Sequence, residues 1–180
     1  MKKIICFISL VIGSVYSVCA QANQTEIMRM AISKAIATTY TGDDPHLYQE
    51  FLGFNKKVIP YLIDVIDTNK KGYAGYFRPT NSNLKSILNF NGIHAAYLIE
   101  FILKNNKMPK SNDITANLMF NRNIIIKRDG STPLDLSDIK EIKKIYKSWW
   151  QVNCNKSIEE LRVDWRAGRR PLDGSLYHWF

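Results

Sequence analysis

Catalysis needs side chains that converge, and spacing along the chain shows which ones could. Cys154 and His178 could be drawn as a nucleophile and its base, yet nothing in the sequence forces them together. His46 and Glu50 stand four apart, a spacing that places both on one helix face. Two ligands are too few for a metal centre, so a surface contact is the competing reading. Asp43 and Asp44 are neighbours that diverge in direction, and Asp44 before Pro45 reads as a helix N-cap. His94 begins an apolar helical stretch and is expected in the core or at its boundary. The chain contains no His-Glu-x-x-His, no Gly-x-Ser-x-Gly and no glycine loop of the phosphate-cradling kind. The expectation is therefore a non-enzyme with no catalytic residue, no metal and no cofactor.

Residues suited to recognition are better represented. Lys70, Lys71, Tyr73, Tyr76, Phe77 and Arg78 interleave three rings with three cations in a stretch also carrying Gly72, Gly75 and Pro79. Aromatic anchors in a basic border suit an acidic protein cleft, an anionic envelope polymer or a membrane surface; a loop folded over its own helices is the alternative. All four tryptophans, Trp149, Trp150, Trp165 and Trp179, lie near the C-terminus. Tryptophan is frequent at interface hot spots and equally at home in a core. Trp149 and Trp165 are expected to build core, whereas Trp150 and Trp179 are candidates for contact with a partner.

Composition and the N-terminus narrow the setting. The chain has 180 residues, 46% of them hydrophobic and 23% charged, with a formal charge of +9. That is the profile of one globular domain, and it excludes bulk disorder and a disulfide-dense miniprotein. Lys2 and Lys3 precede an apolar run, Ile4 to Val18, followed by small residues around Ala20 and Ala22. A basic head, an apolar stretch of about 15 residues and a small-residue exit describe a cleaved secretory signal over residues 1–20. An uncleaved anchor and a lipidated Cys19 are the alternatives, and Val18 is unlike the small residue that precedes a lipidated cysteine. Cleavage would leave Cys154 as the sole thiol, either packed as a small apolar group or open to an intermolecular disulfide. Residues 21–53 carry a net −2 and residues 54–110 a net +6, so positive charge concentrates in the middle of the chain. Export argues against nucleic acid as partner and favours an acidic protein, with anionic polymer or membrane as alternatives.

Helical periodicity supplies the elements that must hold these residues. Ile27, Met28, Ala31, Ile32, Ala35 and Ile36 make one amphipathic helix. Pro45 opens a short one that Gly53 is expected to stop. Val58, Tyr61, Leu62, Val65 and Ile66 form a face, with Pro60 tolerable in the first turn. Gly92 to Lys104 forms a second helix, in which Ala95 and Ala96 allow close approach. The pair Val58-Ile59-Pro60-Tyr61-Leu62-Ile63 and Ala95-Ala96-Tyr97-Leu98-Ile99 resembles a HEAT-type helical hairpin over residues 57–104, although the connection is long and no second copy is found. That resemblance implies antiparallel packing and a protein-binding surface, with no catalytic residue.

Ile124, Ile125 and Ile126 before Asp129-Gly130 suggest a strand and a small hairpin returning through Thr132-Pro133-Leu134. Ser137 is read as the cap of a long helix. Its core arc holds Ile139, Ile142, Ile145, Tyr146, Trp149 and Val152, and its polar arc holds Lys140, Lys143, Lys144 and Lys147. Ser157 and Glu160 fit a capping box for a final helix that Gly168 ends. The expected fold is mostly α, a compact bundle of five or six helices in one domain over 21–180, with at most one small β-hairpin. The expected role is an exported envelope binding protein, most concretely an inhibitor or immunity-type protein that binds a toxic enzyme. A hydrolase of cell wall or lipid and a polymer-binding module are the alternatives.

Overall fold

A computed structural model describes residues 22–35, 45–68, 91–104, 125–129 and 134–179. The described chain is mostly α-helical with one small antiparallel sheet. Helix α1 covers residues 22–35, α2 Pro45–Phe54, α3 Ile59–Asp64 and α4 Asn91–Lys104, with a 3-10 turn over Asn55–Val58 between α2 and α3. Strand β1 (Ile125–Lys127), helices α5 (Leu136–Asn153) and α6 (Ile158–Arg166), and strand β2 (Tyr177–Trp179) follow.

Helix α4 sits at the centre. From Gly92 to Leu103 every residue is buried except Tyr97, which is half-buried. A helix apolar on all sides needs neighbours on all sides, and α4 packs against α2, α3 and α6. Its first turn lies directly on the end of α3. A Cβ on Gly92 would stand 2.0 Å from the Ile66 carbonyl oxygen and 2.7 Å from that of Val65, so only glycine permits this approach. Ala95 and Ala96 are fully buried, as their size suggests, but Gly92 makes the tightest backbone contact. Ile59, Leu62 and Ile63 of α3 and Met28, Ala31, Ile32 and Ala35 of α1 join the same core. Each fully buried leucine or isoleucine contributes about 2 kcal/mol relative to an exposed one.

Several local expectations are corrected. Gly53 does not stop α2: the helix runs on through Phe54, and Asn55 ends it in the left-handed region at φ 59°. Asparagine tolerates that conformation because its short amide bonds locally, here by accepting the Lys56 N–H on Oδ1 at 2.9 Å. Ser137 is not the cap of α5. Asp135 is, accepting the N–H groups of Ser137 (2.7 Å) and Asp138 (2.9 Å), while Asp138 returns the bond by accepting the Asp135 N–H at 2.8 Å. An ionised carboxylate that closes a reciprocal box is a stronger cap than a hydroxyl two residues later. Val152, assigned to the core arc of α5, is 79% exposed.

The last helix follows its sequence signals. Ser157 and Glu160 form the capping box of α6. At its other end Gly168 has φ 78°, its N–H bonds to Trp165 O at 3.2 Å and Arg169 N–H bonds to Asp164 O at 2.9 Å. Those two bonds define a Schellman turn. Strand β1 pairs with β2, in the register Ile125 with Trp179, Ile126 with His178 and Lys127 with Tyr177. The return expected through Thr132-Pro133 lies outside the described residues. No described helix is long and apolar enough to cross a membrane.

Candidate functional site

The burial of α4 on every side carries one acid into the interior. Glu100 is 7% exposed. Its Oε1 accepts the Tyr146 hydroxyl of α5 at 2.8 Å, and its Oε2 accepts Trp165 Nε1–H of α6 in a short bond. Trp179 of β2 donates its Nε1–H to the Tyr146 oxygen at 3.3 Å and meets Tyr97 edge-on with ring centres 6.2 Å apart. Tyr97 in turn stacks on His94 at 5.8 Å. Four elements thus meet around one carboxyl, and each polar contact comes from an aromatic side chain that also packs against the core.

The electrostatics follow from this burial. Loss of water raises the Glu100 pKa above the ordinary carboxylate value, and donation from Trp165, Tyr146 and Trp179, with the positive Arg170, opposes the rise. Burial and then the adjacent Glu100 hold the Tyr146 phenol well above its usual range. Burial lowers His94 to about 4, so it is neutral at physiological pH. Arg170 lies over the Trp165 ring at 4.4 Å, with Lys104 at 6.0 Å from the same ring.

A second polar node fastens the sheet to α5. Asp138 Oδ1 accepts the Tyr177 hydroxyl at 3.0 Å, and its Oδ2 pairs with Lys127 Nζ at 2.9 Å. Burial and Asp138 push Tyr177 up to about 12, and the hydrogen bond to Asp138 raises Lys127.

Cations form a third group, at helix ends. Lys56 Nζ donates to Cys154 O (3.1 Å) and Lys156 O (2.6 Å) at the end of α5. Lys143 Nζ donates to Asp64 O (2.7 Å) and to Asp67 Oδ1 (2.8 Å) at the end of α3. Arg162 Nε donates to Ile102 O in the last turn of α4 at 3.4 Å. Helix C-termini carry unpaired carbonyls and partial negative charge, so each cation closes an end on a different element. Lys143, expected on the solvent-facing arc of α5, is therefore a half-buried clamp. The outward face keeps Lys140, Lys144 and Lys147, all exposed.

Of the site residues expected from sequence, Lys70, Lys71, Tyr73, Tyr76, Phe77 and Arg78 lie outside the described residues. Trp150 is half-buried, packs against the core edge and stands 6.1 Å from Trp149 between ring centres. Trp179 is half-buried and donates into the Glu100 cluster. Cys154 is a half-buried free thiol at the C-cap of α5, while His178 lies on β2. Glu50 is exposed on α2. Among the described residues no three His, Cys, Asp or Glu side chains gather as metal ligands would. Sequence reasoning missed Glu100. Its signal is that it is the one acid in the apolar run Gly92 to Leu103.

No protein family matches the chain, and no curated protein or solved structure matches it. The likeness of residues 57–104 to a HEAT-type hairpin rests on those residues alone.

Proposed function

We propose that this chain is an exported binding protein of a bacterial envelope, most concretely an inhibitor or immunity-type protein that binds a toxic enzyme of acidic surface. The supporting observation is how the described charges divide. Lys56, Lys127, Lys143 and Arg162 are engaged inside the fold, yet an exposed surplus of lysine remains on α5. The buried acids Glu100 and Asp138 are bonded to neighbouring side chains. In this reading Lys70, Lys71, Tyr73, Tyr76, Phe77, Arg78, Trp150 and Trp179 are the contact candidates, and a cationic surface speeds encounter with an acidic partner.

The test uses the full chain, lacking its leader, as bait in an envelope extract. One acidic protein should be retained in stoichiometric amount, leave the bait as salt rises, and lose its own activity when the chain is added back. Recovery of polymer alone would move the assignment to a polymer-binding module. Turnover of labelled peptidoglycan or phospholipid by the purified chain would move it to a hydrolase.

A further inference from the structure

Helix α5 presents two kinds of lysine, and their difference points to a surface. Lys143 reaches α3 and is held there by two hydrogen bonds. Lys140, Lys144 and Lys147 follow the four- and three-residue steps of one helix face and are all exposed. Among the described residues Lys144 pairs with Glu141 alone, at 3.1 Å and with both side chains at least half exposed, a pair of little strength. Among the described residues Lys140 and Lys147 make no ion pair. At a rise of about 1.5 Å per residue the three cations span roughly 10 Å along the axis. Gln151 continues the face, Trp150 borders it on one side and Val152 on the other.

We propose that this face of α5 is a docking track for an acidic helix of the partner protein, a proposal that rests on the reading of the chain as a binder of an acidic protein. Carboxylates at matching three- and four-residue steps on the partner would each meet one ammonium. Trp150 and Val152 offer apolar shoulders that exclude water beside those pairs, which strengthens them. A protein fits better than a bilayer. Binding at a lipid surface needs an apolar helix face free to enter the acyl region, and the apolar face of α5, with Ile139, Ile142 and Tyr146, is buried in the core.

The probe is a helix-forming peptide with Glu at positions i, i+4 and i+7, beside a control of equal composition with its acids scattered around the helix. The full chain should bind the first at low salt, weakening as salt rises, and bind the control at least about tenfold less tightly. Carbodiimide cross-linking of the wild-type complex should join the peptide to Lys140, Lys144 or Lys147, and not to Lys143. The triple variant Lys140→Glu, Lys144→Glu, Lys147→Glu should lose about tenfold or more in affinity at an unchanged melting temperature, and the triple Arg variant should retain binding. Equal binding of both peptides, or cross-links confined to other lysines, overturns the track. So does capture by anionic vesicles of phosphatidylglycerol with no peptide binding. The two readings fail separately. If the triple Glu variant still captures the acidic envelope protein as well as wild type, the track is wrong and the function stands. If the track binds the peptide and the extract yields no acidic protein, the functional reading is wrong.

Discussion

Tyr146 holds two bonds at once at the centre of the molecule, donating to Glu100 and accepting from Trp179. Tyr146→Phe keeps the ring and removes both, leaving a buried carboxyl and an indole N–H short of partners. The expected loss is about 1–3 kcal/mol by urea denaturation, whereas an unchanged midpoint would mean the cluster adds nothing. Acid titrates the cluster in opposite senses. His94 has a folded pKa near 4 against an ordinary 6.5, so the unfolded chain takes that proton first. Its contribution is complete above 6.5 and is lost as pH falls toward 4, by about 3 kcal/mol. Glu100 is raised by burial, so its contribution is present below about 4.5 and lost as pH rises through its folded value. Stability between pH 4.5 and 6.5 should therefore fall more steeply on acidification in Glu100→Gln than in wild type, and His94→Leu should reverse the slope. Urea midpoints at pH 5 and pH 7 for the three proteins check the signs. The sequence marks Glu100 only as an acid in an apolar run. That Tyr146, Trp165 and Trp179 converge on it depends on how four elements pack, which no local pattern encodes.

The ends of α6 could be read directly from neighbouring residues. The end of α2 and the start of α5 were each misplaced by two residues, and partners supplied by distant atoms could not be read. The Ser157–Glu160 box and the Gly168 turn of α6 lie within a few residues of the helix they bound. The start of α5 is read from sequence at Ser137, and the reciprocal bonds between Asp135 and Asp138 place the cap at Asp135 instead. Asp135→Ala should cost about 1 kcal/mol and Ser137→Ala clearly less, read by thermal melts. The partner of β1 was hidden because it comes from the far C-terminal segment, fixed by Tyr177 and Lys127 meeting on Asp138. Two glycines make an opposed pair of predictions. Gly92→Ala must push α4 off the Ile66 carbonyl and should destabilise by about 2–3 kcal/mol. Gly53 lies exposed within α2 with open space around its Cβ position, so Gly53→Ala should stabilise by about 0.5–1 kcal/mol. Equal effects at the two sites would contradict the contact between α3 and α4.

For the whole molecule, the excess of lysine and arginine has two separable roles. Composition gives the excess and periodicity gives the outward face of α5, but neither shows that Lys56, Lys143 and Arg162 close the ends of other helices. Their acceptors are mainly backbone carbonyls, which leave no mark in the sequence. The long helices, the central apolar run and the mostly α class were legible because they follow from local spacing. Trp150 and Trp179 stood out in the sequence, but that Trp179 donates into the Glu100 cluster and Trp150 packs at the core edge required the fold. The most direct test of this division is the urea midpoint of Lys56→Gln and Lys143→Gln, each set beside the double variant Lys140→Gln, Lys147→Gln. The first two should each lose about 1–3 kcal/mol, with the double variant within about 0.5 kcal/mol of wild type. Clamp variants as stable as wild type, or a double variant that loses as much as they do, would contradict the account.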